Sequence, residues 1–157
     1  MEVQVIEAKQ LPIVKNSMLE LLRSHGDKRI TLKGIRWLAR LSSDELEEEG
    51  NSIIIATDYG RLIGILAVAR FGLKHSFIAV HKRYRKRGIA QILLKQIPSR
   101  MDRFYAKIAL DNIPSLLTSF SMGMVALQIE KGPTGKPTFI VAWGNWTKDD
   151  LENFNTV

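Results

Sequence analysis

"HKRYRKRGIAQILL", residues 81–94, carries five basic residues in the six positions 82–87 and then turns apolar. The run before it, Phe77-Ile78-Ala79-Val80, reads as a buried strand, and the run behind Gly88 reads as an amphipathic helix over about 88–97, stopped by Pro98. The basic residues therefore sit on a strand-to-helix turn with a glycine at the helix start. N–H groups at a helix N-terminus have no partner inside the helix, and the helix dipole adds partial positive charge there. A diphosphate fits such a place. Gly88 removes the side chain that would block close approach, Ala90 is nearly as small, and Arg and Lys add charge-assisted contacts. The same charges also suit a nucleic-acid backbone, or a face that meets only water. Two other phosphate loops are excluded. The chain has no dinucleotide G-x-G-x-x-G here, and "GPTGKPT" (132–138) has the wrong spacing for a P-loop, with Pro137 where a Ser or Thr should follow the lysine.

Working outward, "SIIIATD" (52–58) and "RLIGILAVARF" (61–71) are strand-like runs around the turn "DYGR", and "KHSFIAV" (74–80) is the third strand of this group. Toward the N-terminus, "EVQVIEA" (2–8) reads as a strand. Leu11, Val14, Met18, Leu21 and Leu22 recur at helical spacing over 11–24, and Ile35, Leu38 and Leu41 mark a second helix. Ser42 and Glu45 have the spacing of a capping box for a short acidic turn. Toward the C-terminus, "FYAKIAL" (104–110) reads as a strand and "DNIPSLLTSFSMG" (111–123) as a helix, with Asp111 or Asn112 as cap, Pro114 in its first turn and Gly123 at its end. "MVALQIE" and "PTFIVAW" frame a last hairpin, and "TKDDLENF" reads as a short terminal helix. There is no repeat, linker or low-complexity tract, so residues 1–157 are expected to form a single mixed α/β domain.

Composition narrows the function classes. A chain that is 45% hydrophobic and 25% charged is ordinary for a globular protein, and no apolar run reaches membrane-span length. The absence of cysteine excludes a disulfide framework and thiolate chemistry, and with no signal-peptide pattern at the N-terminus a cytoplasmic setting is expected. His25, His75 and His81 have no ligand-like spacing, so no metal site is expected. The net charge of +7 favours anionic partners.

"IAVHKRYRKRGIA" resembles the acetyl-CoA-binding segment of the GNAT family of N-acetyltransferases: a strand, a Val, a few polar residues, then (Arg/Gln)-x-x-Gly-x-(Gly/Ala), with Arg85, Gly88 and Ala90 filling the last motif. The order of elements is also similar: strand, two helices, an antiparallel trio, helix, strand, helix, hairpin. The resemblance implies a GNAT-like acyl-CoA N-acyltransferase fold, with a central, mostly antiparallel twisted sheet flanked by helices. It implies acetyl-CoA as cofactor. The amides near Lys86, Arg87, Gly88, Ile89, Ala90 and Gln91 would hold the coenzyme diphosphate, with Arg85 beside them. The backbone at Ile78, Ala79 and Val80 would pair with the pantetheine arm as an added strand, and an N–H there would polarise the thioester carbonyl. An amine acceptor would enter between splayed fourth and fifth strands. No membrane partner is implied, and homodimers are common in the family.

The family's later motif is partly kept at Asn112, Ser115, Ser119, Gly123 and Met124. Asn112 either bonds the pantetheine arm or simply caps its helix. Ser119 stands where many relatives carry the tyrosine that protonates the leaving thiolate, and a serine hydroxyl is a far weaker acid. Many relatives place a carboxylate base on the fourth or fifth strand; here those strands offer His75, Ser76 and Lys107, with Asp111 at the end. His75 has a suitable ordinary pKa for a base. Two rivals follow. One keeps the fold but binds acyl-CoA without turnover, as a sensor or interaction module. The other is a nucleic-acid-binding domain built on 81–88, disfavoured because only Tyr84 interleaves with the basic residues. The acidic stretch 44–49 is either a solvated turn or an attraction for a cationic amine.

Overall fold

Residues 52–69 are apolar with one short interruption, and both faces of the strands they form are covered. The structure is a computed structural model and describes residues 1–27, 29–132 and 135–154. In it β2 (Ser52–Asp58) and β3 (Arg61–Ala69) form a hairpin. Its two-residue turn has Tyr59 at φ 50° and Gly60 at φ 73°, the paired left-handed residues that match the twist of a tight hairpin. β1 (Glu2–Val5) lies against β2, and β4 (His75–Val80) against β3, all antiparallel. A second antiparallel sheet is ordered β5-β7-β6, from β5 (Arg103–Ala109), β6 (Val125–Lys131) and β7 (Pro137–Gly144). Pro133 and Thr134, between β6 and β7 in sequence, lie outside the described residues.

Helices α1 (Leu11–His25) and α2 (Leu32–Arg40) cover one face of the first sheet, burying Met18, Leu22 and Leu38 with Ile53, Ile55, Ile65 and Ala67. On the other face α4 (Ile89–Leu94) and α5 (Ile113–Ser121) bury Leu93 and Leu116 with Ile54, Val68, Phe104 and Val141, a layer that spans both sheets. The expected capping box opens α3 (Ser43–Leu46): Glu45 N–H donates to Ser42 Oγ at 3.1 Å and Ser42 N–H to Glu45 Oε1 at 3.4 Å. The helix expected over 88–97 is shorter. Pro98 removes a donor and crowds the preceding turn, so the chain tightens into a 3₁₀ turn at Ile97–Ser99.

No ladder joins β4 to β5, the seam between the sheets. The two strands meet at their N-terminal ends, where the turn at Arg70–Gly72 abuts Tyr105 and the Arg103 guanidinium lies 3.8 Å from the Phe71 ring centroid. Tyr105 is fully buried; its hydroxyl donates to Asp150 at 2.5 Å and accepts the Thr147 N–H at 2.9 Å. These bonds dock α6 (Lys148–Glu152), the short terminal helix, against the second sheet. Past the other ends of β4 and β5, the carboxylate of Asp111 takes Lys136 at 2.6 Å and Arg29, from the loop after α1, at 3.5 Å.

Gly72 sets the closed end of the seam. Its φ is +90°, and a Cβ there would stand 1.8 Å from the Tyr105 carbonyl oxygen. Gly72→Ala is expected to destabilise the fold by more than the roughly 1–2 kcal/mol that left-handed backbone alone costs an L-residue, read as a lower midpoint in urea unfolding.

Candidate functional site

The chain leaves β4 through His81, whose N–H still donates to Ile63 of β3 at 2.8 Å. Backbone groups alternate in direction along a strand, so the N–H groups of Ile78 and Val80 point away from β3, into the seam. The Val80 carbonyl lies on that same edge and accepts Arg85 Nε at 3.1 Å. A 3₁₀ turn at Lys82–Tyr84 follows, then left-handed backbone at Lys86 (φ 62°) and Gly88 (φ 77°). Among the described residues, the N–H groups of 85–91 meet no acceptor; helical bonding resumes with Ile92 N–H to the Gly88 carbonyl at 3.1 Å. A Cβ on Gly88 would find only Gln91 Oε1, at 3.7 Å. Backbone conformation, not packing, demands this glycine, and the space over the free donors is open. A row of unpaired N–H groups at the start of a helix suits an anionic group such as a diphosphate.

The side chains around this row divide by role. Lys86, Arg87 and Gln91 are exposed, with Arg87 5.2 Å from the Tyr84 ring centroid. Ile89 is buried, so only its backbone faces the open space, and Ala90 is half-buried. Arg85 is exposed but committed to neighbouring carbonyls: besides Val80, it donates to the His25 carbonyl, so it shapes the loop. Ile78 and Val80 pack their side chains on the α4–α5 layer, while Ala79 packs toward α1 and α2 and directs its N–H to β3. Asn112 occupies the cap position of α5, yet its side chain makes no capping hydrogen bond. The plain capping role is therefore not realised, and the carboxamide is left for another partner.

His75 and Ser119 lie in opposite layers, and no hydrogen bond joins them. His75 opens β4 beside Trp37 of α2, with ring centroids 5.7 Å apart. Half-buried there, it is held below its ordinary pKa by desolvation first, then by Lys74 and Lys33. It lies three residues from Ile78, roughly 10 Å along an extended strand. Ser119 is buried in α5. Neither Tyr84 nor Tyr105 is free to act as an acid in the seam. The Tyr84 hydroxyl donates to Asp58 at 2.9 Å, a bond that raises its pKa. Burial, followed by Asp150, pushes Tyr105 up to about 12. Tyr59 is exposed in the β2–β3 turn. Asp111, the carboxylate nearest the expected base position in sequence, is held below the usual range by Lys136 first and then Arg29, which makes it a poor base.

The acidic stretch lies elsewhere. Glu47, Glu48 and Glu49 line a groove of about 420 Å³ with Ser52 and Arg100, at the end of the first sheet opposite residues 81–88. Among the described residues no cluster of His, Asp or Glu fits a metal ion, and no helix is long and apolar enough to cross a membrane.

The family model of the acetyltransferase (GNAT) domain matches residues 49–119, the segment from β2 through the free donor row to Ser119. No curated protein matches the sequence. Solved structures show the same fold over nearly the whole chain. The aminoglycoside 6'-N-acetyltransferase of Enterococcus faecium superposes with a TM-score of 0.65 at 15% identity, covering 94% of this chain and 99% of that one. The ribosomal-protein-S18-alanine N-acetyltransferase of Escherichia coli gives 0.64 at 13%, covering 93% and 94%. A putative acetyltransferase of Salmonella typhimurium, solved with its cofactor acetyl-CoA, gives 0.63 at 13%, covering 94% and 95%. The split sheet and the strand-turn-helix at 75–94 define an acyl-CoA-type transferase fold. Residues 49–119 match the GNAT acetyltransferase domain, and the chain as a whole has the fold of GNAT acetyltransferases.

The environment of His75 has a measurable consequence. Unfolded, the ring takes a proton near 6.5; folded, it does so only at lower pH. Stability from this group is full above pH 6.5 and is lost as pH falls through and below that value. Urea midpoints should drop on acidification below pH 6.5, and His75→Gln should remove part of that drop.

Proposed function

We propose that the protein is an N-acetyltransferase that uses acetyl-CoA and transfers the acetyl group directly to a primary amine. The observation that carries this is the continuity of free backbone donors: Ile78 and Val80 on the open edge of β4, then residues 85–91 in the loop and first helical turn. An extended amide-bearing arm ending in a diphosphate matches that run of donors in both shape and charge. Proteins of this family use acetyl-CoA, and the Salmonella typhimurium neighbour was solved with it.

When bound, acetyl-CoA would supply an acetyl thioester whose carbonyl carbon an amine attacks, with the coenzyme thiolate as leaving group. The chain's own part is positioning and electrostatics. The N–H groups of 85–91 bind the diphosphate, with Lys86 and Arg87 adding charge. Ile78 and Val80 donate to the arm as one strand donates to another, and one of these groups stabilises the carbonyl oxygen as it gains negative charge. The Asn112 carboxamide is free to bond the same arm. His75, held neutral, is in the protonation state a base requires, and takes the amine proton through water. The chain offers no thiol for a covalent intermediate, and positioning accounts for much of the expected acceleration. The acceptor is read as a primary amine; an aminoglycoside, a ribosomal-protein alanine and spermidine are the acceptors named for structural neighbours. The burial of Ser119 at the usual tyrosine position favours a second reading, in which the coenzyme binds and turnover is slow or absent.

A thermal-shift titration with acetyl-CoA, free CoA and an unrelated polyanion of matched charge tests the site. Both coenzyme forms should raise the melting temperature saturably, by the equivalent of about 2.7 kcal/mol at a hundredfold excess over Kd, and the polyanion should not. Equal shifts with all three would replace the coenzyme reading with a nonspecific anion site. Gly88→Glu should abolish the coenzyme shift by filling and repelling. Asn112→Ala should weaken binding while leaving the ligand-free melting temperature unchanged, because no cap bond is lost. Loss of thioester in a screen of amines then separates an enzyme from a silent binder.

A further inference from the structure

A pair of histidines joins the end of α1 to the loop. His25, the last residue of α1, stacks on His81, the first residue after β4, with ring centroids 3.8 Å apart and planes 29° apart. Both rings serve as acceptors for the loop backbone. The Lys82 N–H donates to His25 Nδ1 at 3.3 Å, and the Arg83 N–H donates to His81 Nδ1 at 3.1 Å. Tyr84 packs edge-on against His81, with ring centroids 5.7 Å apart, and the Arg85 guanidinium donates to the His25 carbonyl. Residues 82–85 are thus each tied to the histidine pair, and the free donor row begins where these ties end.

We propose that His25 and His81 form a positioning pair for the coenzyme loop: with both rings neutral they hold residues 82–85 so that the N–H groups behind them face the diphosphate, and protonation releases the loop. The inference rests on the reading of 85–91 as the diphosphate cradle. An imidazole protonated at Nδ1 cannot accept a hydrogen bond, so each proton removes one loop tie. Two stacked imidazolium rings also repel. Around His25 stand His81, Lys82 and Arg85 from the loop side and Glu20 from α1; around His81 stand Arg83 and Tyr84. Burial first, then His81, Lys82 and Arg85, lower the His25 pKa, and Glu20 opposes them. The folded loop therefore binds the proton less readily than the released one. The hold is full above pH 6.5 and weakens as pH falls below it. Simple charge attraction has the opposite sign, since added positive charge would tighten diphosphate binding in acid.

The test is the Kd of acetyl-CoA by titration calorimetry between pH 7.5 and 5.5 for wild type, His25→Ala and the double variant His25→Asn/His81→Asn. The Asn Oδ1 can accept the same backbone N–H groups but cannot take a proton. At pH 7.5 the double variant should bind within about threefold of wild type, and His25→Ala about five- to tenfold more weakly. On acidification wild type should lose at least fivefold more affinity than the double variant, which carries only the coenzyme's own phosphate titration. A ligand-free readout accompanies it: the Lys82 amide resonance should move with a midpoint below pH 6.5 in wild type, the Arg83 resonance should move on acidification as well, and both should stay still in the double variant. The same pH profile in both proteins, unmoved amide resonances in wild type, or full affinity in His25→Ala would overturn the pair's role while leaving the cradle intact. Absence of saturable binding in wild type at pH 7.5 would overturn the cradle itself and the inference with it.

Discussion

β4 gives one edge to β3 and leaves the other without a strand partner, and the rest of the molecule is arranged around that open edge. Leaving a backbone donor unpaired away from water costs about 1–3 kcal/mol, so such an edge persists only where surrounding packing holds the strands apart. Here the holding is done at one end. Gly72 lets the turn before β4 close against Tyr105, Arg103 lies over Phe71, and the core layer under α4 and α5 is shared by both sheets. Past the far ends of β4 and β5 the halves meet through the long side chains of Arg29 and Lys136 on Asp111. The seam is thus packed at one end and bridged by long side chains at the other.

Local features were legible in the sequence because their causes are local. The tight turn at Tyr59-Gly60, the capping box at Ser42 and Glu45, and the strand-turn-helix at 75–94 each follow from a few adjacent residues, and the structure has all three. Pairings between distant elements left no trace in periodicity or spacing. The Tyr105–Asp150 bond, the Arg29–Asp111 bridge and the His25–His81 stack depend on which elements the fold brings together, and none belongs to a contiguous motif. Asn112 shows the limit from the other side. Its position fits a helix cap by composition alone, and only the absence of a cap bond in the folded chain separates that role from a ligand contact.

The basic cluster also reads differently once folded. Arg85 is spent on the Val80 and His25 carbonyl groups, so the row of positive charge is partly structural. What faces the open space at 85–91 is chiefly backbone, with Lys86 and Arg87 beside it. A nucleic-acid site would draw its affinity from outward-pointing side-chain charge in proportion to the phosphates neutralised. On the proposed function, an arginine committed to carbonyls and a row of free amides suit one compact anionic group better than a polymer track.

The fold recurs among proteins sharing only 13–15% of their residues with this chain. An open strand edge and two left-handed turn positions require a glycine, small neighbours and a buried strand, but otherwise leave side chains free to vary. Chemistry at the seam has no such tolerance, because a proton donor or acceptor must be a particular side chain at a particular place. In this chain the backbone part is complete, whereas the side-chain part has a buried serine and a half-buried neutral histidine on opposite layers. On the proposed function, coenzyme binding and catalytic rate are separable properties: backbone geometry would set the first, and the second would depend on how water and the acceptor bridge the distance between His75 and the donors of Ile78 and Val80.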